Sequence, residues 1–177
     1  MNTFNTIYQR KSVRSYTGIP ATDAQLEKIL LAANAAPVGR GDYDSVYLTI
    51  ITNSDLLHEI DLAAAEYFQD ATLHPLYGAP TLILVSTKLN GTPADNVAYS
   101  NAAMIVHNMA LESVDLHVGS CCIWGAVMAL QQRPDILKEL YLPADFTPVC
   151  GLIIGQTDEV YEERQIPKNR IRKKVLW

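Results

Sequence analysis

The chain of 177 residues is poor in the features that mark several large protein classes. Its three cysteines, two of them adjacent at Cys121 and Cys122, cannot build a disulfide framework. That usage fits a reducing compartment, and a cytoplasmic location is expected. No apolar run approaches the roughly 20 residues needed to span a bilayer. The opening Met1-Asn2-Thr3-Phe4-Asn5-Thr6 lacks the apolar stretch of a secretory signal. Cations are in deficit: a net charge of -5 and a pI near 5.3 argue against nucleic acid or an anionic membrane surface as partners. HExxH, GxSxG, CxxC and P-loop patterns are missing, so no metalloprotease, serine hydrolase, dithiol or triphosphate site is written here. Repeats, low-complexity segments and linkers are absent too.

What is present reads as one domain, residues 1–177, in which 49% hydrophobic residues leave room for a sizeable core. Thr22 with Gln25 three residues later forms a capping-box pattern. Leu26, Ile29, Leu30 and Ala33 follow at helical spacing, and Pro37 with Gly39 ends the helix. Residues 46–52 and 81–86 are rich in β-branched residues and predict buried strands; 147–155 predicts a central one. Residues 95–114 form the longest helical pattern, apolar on more than one face, with Asn101 and His107 expected as satisfied core polar groups. Asn53 or Ser54 caps another helix, residues 67–77 read as an irregular connection, and Arg133-Pro134 opens a short helix. An α+β fold is expected.

The densest chemistry lies in Tyr8-Gln9-Arg10-Lys11-Ser12-Val13-Arg14-Ser15-Tyr16. Arg10 and Arg14 offer planar forks of donors, Lys11 a point charge, and Ser12 a hydroxyl and a backbone N–H. Together they suit a phosphate, each charge-assisted bond being worth roughly 1.5–3 kcal/mol. Taken by itself the stretch reads more readily as a solvated basic turn.

Arg-(Arg/Lys/His)-Ser-x-(Arg/Lys) after a short N-terminal helix resembles the opening of the nitroreductase family of FMN flavoproteins. Ala36-Pro37-Val38-Gly39, Gly119-Ser120-Cys121-Cys122-Ile123-Trp124-Gly125 and Gly151-Leu152-Ile153-Ile154-Gly155 fall in that family's order. The resemblance implies a three-layer fold with a mainly antiparallel central sheet flanked by helices, forming a homodimer whose flavin site uses both chains. It implies FMN as cofactor, NAD(P)H as electron donor, and a small-molecule acceptor such as a nitroaromatic or quinone, reduced by a ping-pong mechanism.

By the same resemblance Arg10, Lys11, Ser12 and Arg14 meet the FMN phosphate. Pro37, Val38 and Gly39, with Cys122, Ile123, Trp124 and Gly125, border the ring. Arg170 or Arg172 returns from the basic C-terminal segment to the phosphate. Tyr43, Phe68 and Trp124 are the candidates for stacking on an acceptor, and catalysis itself needs no acid–base dyad because the flavin carries it.

Gly41, Asp42, Tyr43 and Asp44 depart from the polar pattern usual in the family's loop. That departure keeps open a non-catalytic FMN store or sensor of the same fold. Cys121, Cys122 and Cys150 admit a thiol enzyme, against which they read as small buried hydrophobes.

Overall fold

The computed structural model describes residues 2–177. Helix α1, Thr3–Gln9, is capped by Asn2, whose side chain accepts from the Asn5 N–H at 3.0 Å. It buries none of its residues. The chain then runs extended through the basic stretch to Pro20. Helix α2, Asp23–Asn34, begins at the capping box expected from sequence: Thr22 Oγ1 accepts from Gln25 N, and Gln25 Oε1 accepts from Thr22 N. Two short 3-10 turns, Gly39–Gly41 and Tyr43–Ser45, lead into strand β1, Val46–Ile51.

Helix α3, Ser54–Phe68, starts where Asn53 accepts from Asp55 N and Leu56 N, and stops at Gln69 in the left-handed region. It thus extends past Tyr67, where the sequence suggests an irregular connection. Strand β2 (Thr81–Lys88), helix α4 (Asp95–Asp115), strand β3 (Gly119–Ile123), helices α5 (Gly125–Leu130) and α6 (Pro134–Glu139) and strand β4 (Phe146–Gly155) complete the chain.

The four strands form one sheet in the order β1-β2-β4-β3, every neighbouring pair antiparallel. The period-two alternation of strand side chains divides the core. Leu82, Leu84, Cys121, Ile123 and Ile153 point to a cluster with α3, α5 and α6. Ile83, Val85, Cys150, Leu152 and Ile154 point to a second cluster with α2 and α4. The result is helix, sheet, helix. Between Val85 and Ser86 the β2–β4 register slips. The residue facing Ser86 is Pro148, which has no N–H to give to the ladder, and the extra residue is accommodated there.

Strand β4 is central, as its uninterrupted apolar sequence predicts. Strand β1 is not fully buried: as an edge strand it leaves Tyr47 and Ile50 open to solvent. Among the described residues no helix is long and apolar enough to cross a membrane.

Candidate functional site

The basic stretch lies along the free edge of β3. Val13, fully buried, donates its N–H to Ser120 O at 2.9 Å and anchors the segment. Farther on, Thr17 N donates to Gln156 O at 3.0 Å and Gln156 N to Ile19 O at 2.8 Å. Ser12, Arg14 and Arg10 all sit close enough to act on the Cys121 thiol, whose pKa is raised because burial outweighs them. Arg10 also lies within electrostatic reach of Cys122, His107 and Tyr161.

Among the described residues the Arg10 side chain makes no hydrogen bond or ion pair, its backbone N–H alone being engaged, by Thr6 O at 2.9 Å, and its surroundings include another cation, Arg164. Arg164 donates from Nε to Tyr8 O at 2.9 Å and from Nη2 to Ile7 O at 3.0 Å, so it caps the C-terminal carbonyls of α1. Burial chiefly, then Arg10 and Arg170, lower the pKa of Arg164. Arg10 and Arg170 thus both lie within electrostatic reach of Arg164 at the C-terminal end of α1. His107, on the open side of α4, has its pKa lowered by partial burial and then by Arg10. It is not the buried core group expected from sequence. Asn101 is: it is buried, and its Oδ1 accepts the Gly39 N–H at 3.0 Å.

The other two cations are engaged. Lys11 Nζ lies 2.8 Å from Glu159 Oε2, and the guanidinium carbon of Arg14 lies 5.7 Å from the centroid of the Tyr77 ring. Tyr77 is the largest influence holding the Arg14 pKa up. Ser12 stands beside the Cys121 thiol. Arg170 reaches the cluster around Arg164; Arg172 is exposed on the same segment.

The loop carrying Pro37, Val38 and Gly39 packs on the first turns of α4 and borders a cleft of about 430 Å³. A Cβ on Gly39 would come within 2.8 Å of Val97 Cγ1, so this loop approaches the helix as closely as it does because no side chain intervenes. Tyr43 folds back to give its hydroxyl to Ala36 O at 3.2 Å. Cys122 and Ile123 close β3, and Trp124 and Gly125 turn the chain into α5. The Phe68 ring covers Gly125, where a Cβ would meet it at 3.3 Å. Trp124, half exposed, shares a notch of about 290 Å³ with Tyr99 and Met128.

Phe68 and Trp124 thus flank one glycine, whereas Tyr43 stands with the loop beside the N-terminal half of α4. No sequence signal marks Tyr77, Tyr161 or Glu159 as neighbours of the basic stretch. They come from loops without periodicity, and only the tertiary path brings them there.

The class is that of three-layer α+β proteins with an antiparallel sheet of order β1-β2-β4-β3 and a cationic cluster at its β3 edge. Within that class the chain belongs to the nitroreductase family: the family profile described as "Nitroreductase family" matches residues 7–156.

A protein of Archaeoglobus fulgidus, named for NADH dehydrogenase and NAD(P)H nitroreductase activity, is 27% identical over 134 residues, covering 76% of this chain and 72% of that one. A Bacillus subtilis protein named FMN reductase (NADPH) is 22% identical over 184 residues, covering 96% of this chain and 72% of its own. The fold is shared with a nitroreductase of Desulfitobacterium hafniense solved with bound FMN. The TM-score is 0.83 at 21% identity, over 99% of this chain and 100% of that one.

Proposed function

We propose that the protein is an FMN-dependent oxidoreductase that takes hydride from NAD(P)H and reduces nitroaromatics, quinones or similar electron-poor acceptors. The names of its relatives and the FMN held by a protein of the same fold support the class of reaction. The observation that carries the reading on this chain is Arg10. Among the described residues its guanidinium has no anionic partner, Arg164 lies within its electrostatic reach and Arg170 within that of Arg164, and a phosphate of charge near -2 fits such a cationic cluster.

Arg10, Ser12 and Arg170 would hold that phosphate. Arg14, farther along the same edge, would place positive charge toward the ring. The backbone of residues 122–125 would border the ring, and Trp124 and Phe68 would receive a flat acceptor. When bound, FMN supplies hydride acceptance from the nicotinamide and onward delivery of electrons, chemistry no side chain here provides. The three thiols stay protonated: burial raises all three, Cys150 to about 12, which fits small core residues and not redox partners.

A homodimer belongs to the same proposal. Gly39 is fixed to Asn101, and Arg10 lies within electrostatic reach of His107 six residues on, about 9 Å along the axis of α4 at 1.5 Å per residue. Around and between these points α4 exposes Val97, Ser100, Ala103 and Met104, small or apolar residues suited to a second α4. Two chains would then complete each flavin site.

The test is the visible spectrum of freshly purified protein, followed by anaerobic mixing with NADH and with NADPH. Yellow protein that bleaches with either donor, and parallel double-reciprocal plots with an added quinone, are the expected results. Yellow protein that neither donor bleaches would make it an FMN store or sensor. A colourless protein that cannot take up FMN ends the proposal.

A further inference from the structure

Lys11 stands inside the basic stretch yet is engaged by the chain that follows β4. Its ammonium meets Glu159 Oε2 at 2.8 Å, with both side chains about two-thirds buried, and lies 5.9 Å from the Tyr161 ring centroid. The other carboxylate oxygen, Oε1, accepts the Arg14 N–H at 3.0 Å. One carboxylate therefore binds the basic stretch twice, on either side of Val13. Its pKa is lowered, first by Lys11 and then by the Arg14 N–H. The two segments are stitched at a further point: Thr157 Oγ1 donates to Ser15 O at 2.7 Å and accepts from Glu159 N at 3.1 Å. Arg10, one residue before Lys11, has no such partner.

We propose that Glu159 is a positioning residue for the cofactor site: paired with Lys11, it fixes the path of the basic stretch so that Arg10 and Ser12 present to the FMN phosphate, and Lys11 is a strut, not a phosphate ligand. This rests on the FMN reading above. It divides a run of cations into two jobs. A cation whose charge is consumed internally adds little field at the ligand, because with a carboxylate 2.8 Å away it acts as a short dipole whose field falls off faster than that of a lone charge. Removing Glu159 harms binding through the backbone it holds, although it deletes a negative charge near an anion site.

The experiment is FMN titration of the apoprotein by flavin fluorescence quenching, across a salt series, together with apoprotein thermal melts. The proteins compared are the wild type, R10A, K11M, K11E, E159K and the K11E/E159K double reversal. R10A is expected to weaken FMN binding tenfold or more and to flatten its salt dependence. K11M is expected to keep the wild-type salt dependence. Each single reversal sets like charges together and is expected to weaken binding about three- to tenfold and to lower Tm.

The double reversal is expected to return both affinity and Tm to within about twofold and a degree or two of wild type. Restoration by charge exchange is the readout that a phosphate ligand could not give, since the carboxylate that K11E introduces would repel the phosphate. K11M that flattens the salt dependence as R10A does would overturn the proposal, as would a double reversal no better than K11E. Both outcomes leave the FMN reading standing. Wild-type protein that takes up no FMN overturns the two together.

Discussion

The central strands and the outer rim of this protein are built on opposite terms. Seven of the eight residues of β2 are buried, and Leu152, Ile153 and Ile154 of β4 are wholly enclosed. Helix α1 buries nothing, and the basic stretch after it buries Val13 but leaves Arg14 exposed. Burial at about 25 cal/mol per Å² of apolar surface makes the sheet the seat of stability. Charge can stay unneutralised only at the rim, where water screens it until a ligand arrives. The core sets where the edge of β3 lies, and the rim decides what that edge holds.

Substitutions should separate the two. Ile153→Ala removes a fully enclosed side chain at the centre of the sheet and should cost about 2–5 kcal/mol, read as a lower denaturation midpoint. Flavin affinity of the folded fraction should not change. Arg10→Ala should do the reverse: about 1.5–3 kcal/mol of FMN binding lost by titration, with Tm unchanged because, among the described residues, the guanidinium has no hydrogen-bond or ion-pair partner. Gly155→Ala tests the junction of core and rim. Its Cβ would lie 2.6 Å from Pro80 Cδ and 3.2 Å from Tyr16 Cδ1, and an overpacking cost of about 1–3 kcal/mol in thermal melts is expected.

Thr22→Ala breaks the capping box of α2 and should cost about 1 kcal/mol in the same assay, with no effect on cofactor uptake. The smallest effect should be the pH dependence of Glu159. Its folded pKa lies below the unfolded value, so its contribution is present above the ordinary carboxylate range and fades as pH falls through the folded pKa. Glu159→Gln should therefore narrow its stability gap to wild type as pH drops from about 6 toward about 3, measured by urea denaturation.

Sequence carried the rim's identity further than its geometry. The capping box at Thr22 and Gln25, the extent of α4 and the apolar continuity of β4 are local signals, and the structure has each in place. Strand β3 is not legible: Gly119-Ser120-Cys121-Cys122-Ile123 is too short for alternation, and it becomes a strand because β4, some thirty residues on, supplies its ladder. Strand β1 has the composition of a buried strand yet lies at an edge, since propensity does not say how many neighbours a strand will find.

In the basic stretch the residue types were plain, but the division of labour was not. Whether Lys11 meets a ligand or Glu159 depends on a segment nearly 150 residues away. The same holds for Tyr77 beside Arg14.

The basic stretch beside the outer edge of β3, anchored there at Val13, has a consequence for solubility. That segment covers one margin of the sheet with charge, whereas β1, Val-Tyr-Leu-Thr-Ile-Ile, ends the other with neither a proline nor a charged residue. Strand-by-strand growth into aggregates starts from margins of that kind. Apoprotein in which the basic stretch peels away would offer two such margins in place of one. Ligand loss and precipitation would then share a single cause, and a cofactor added during purification would act as a solubiliser before it acted in any reaction.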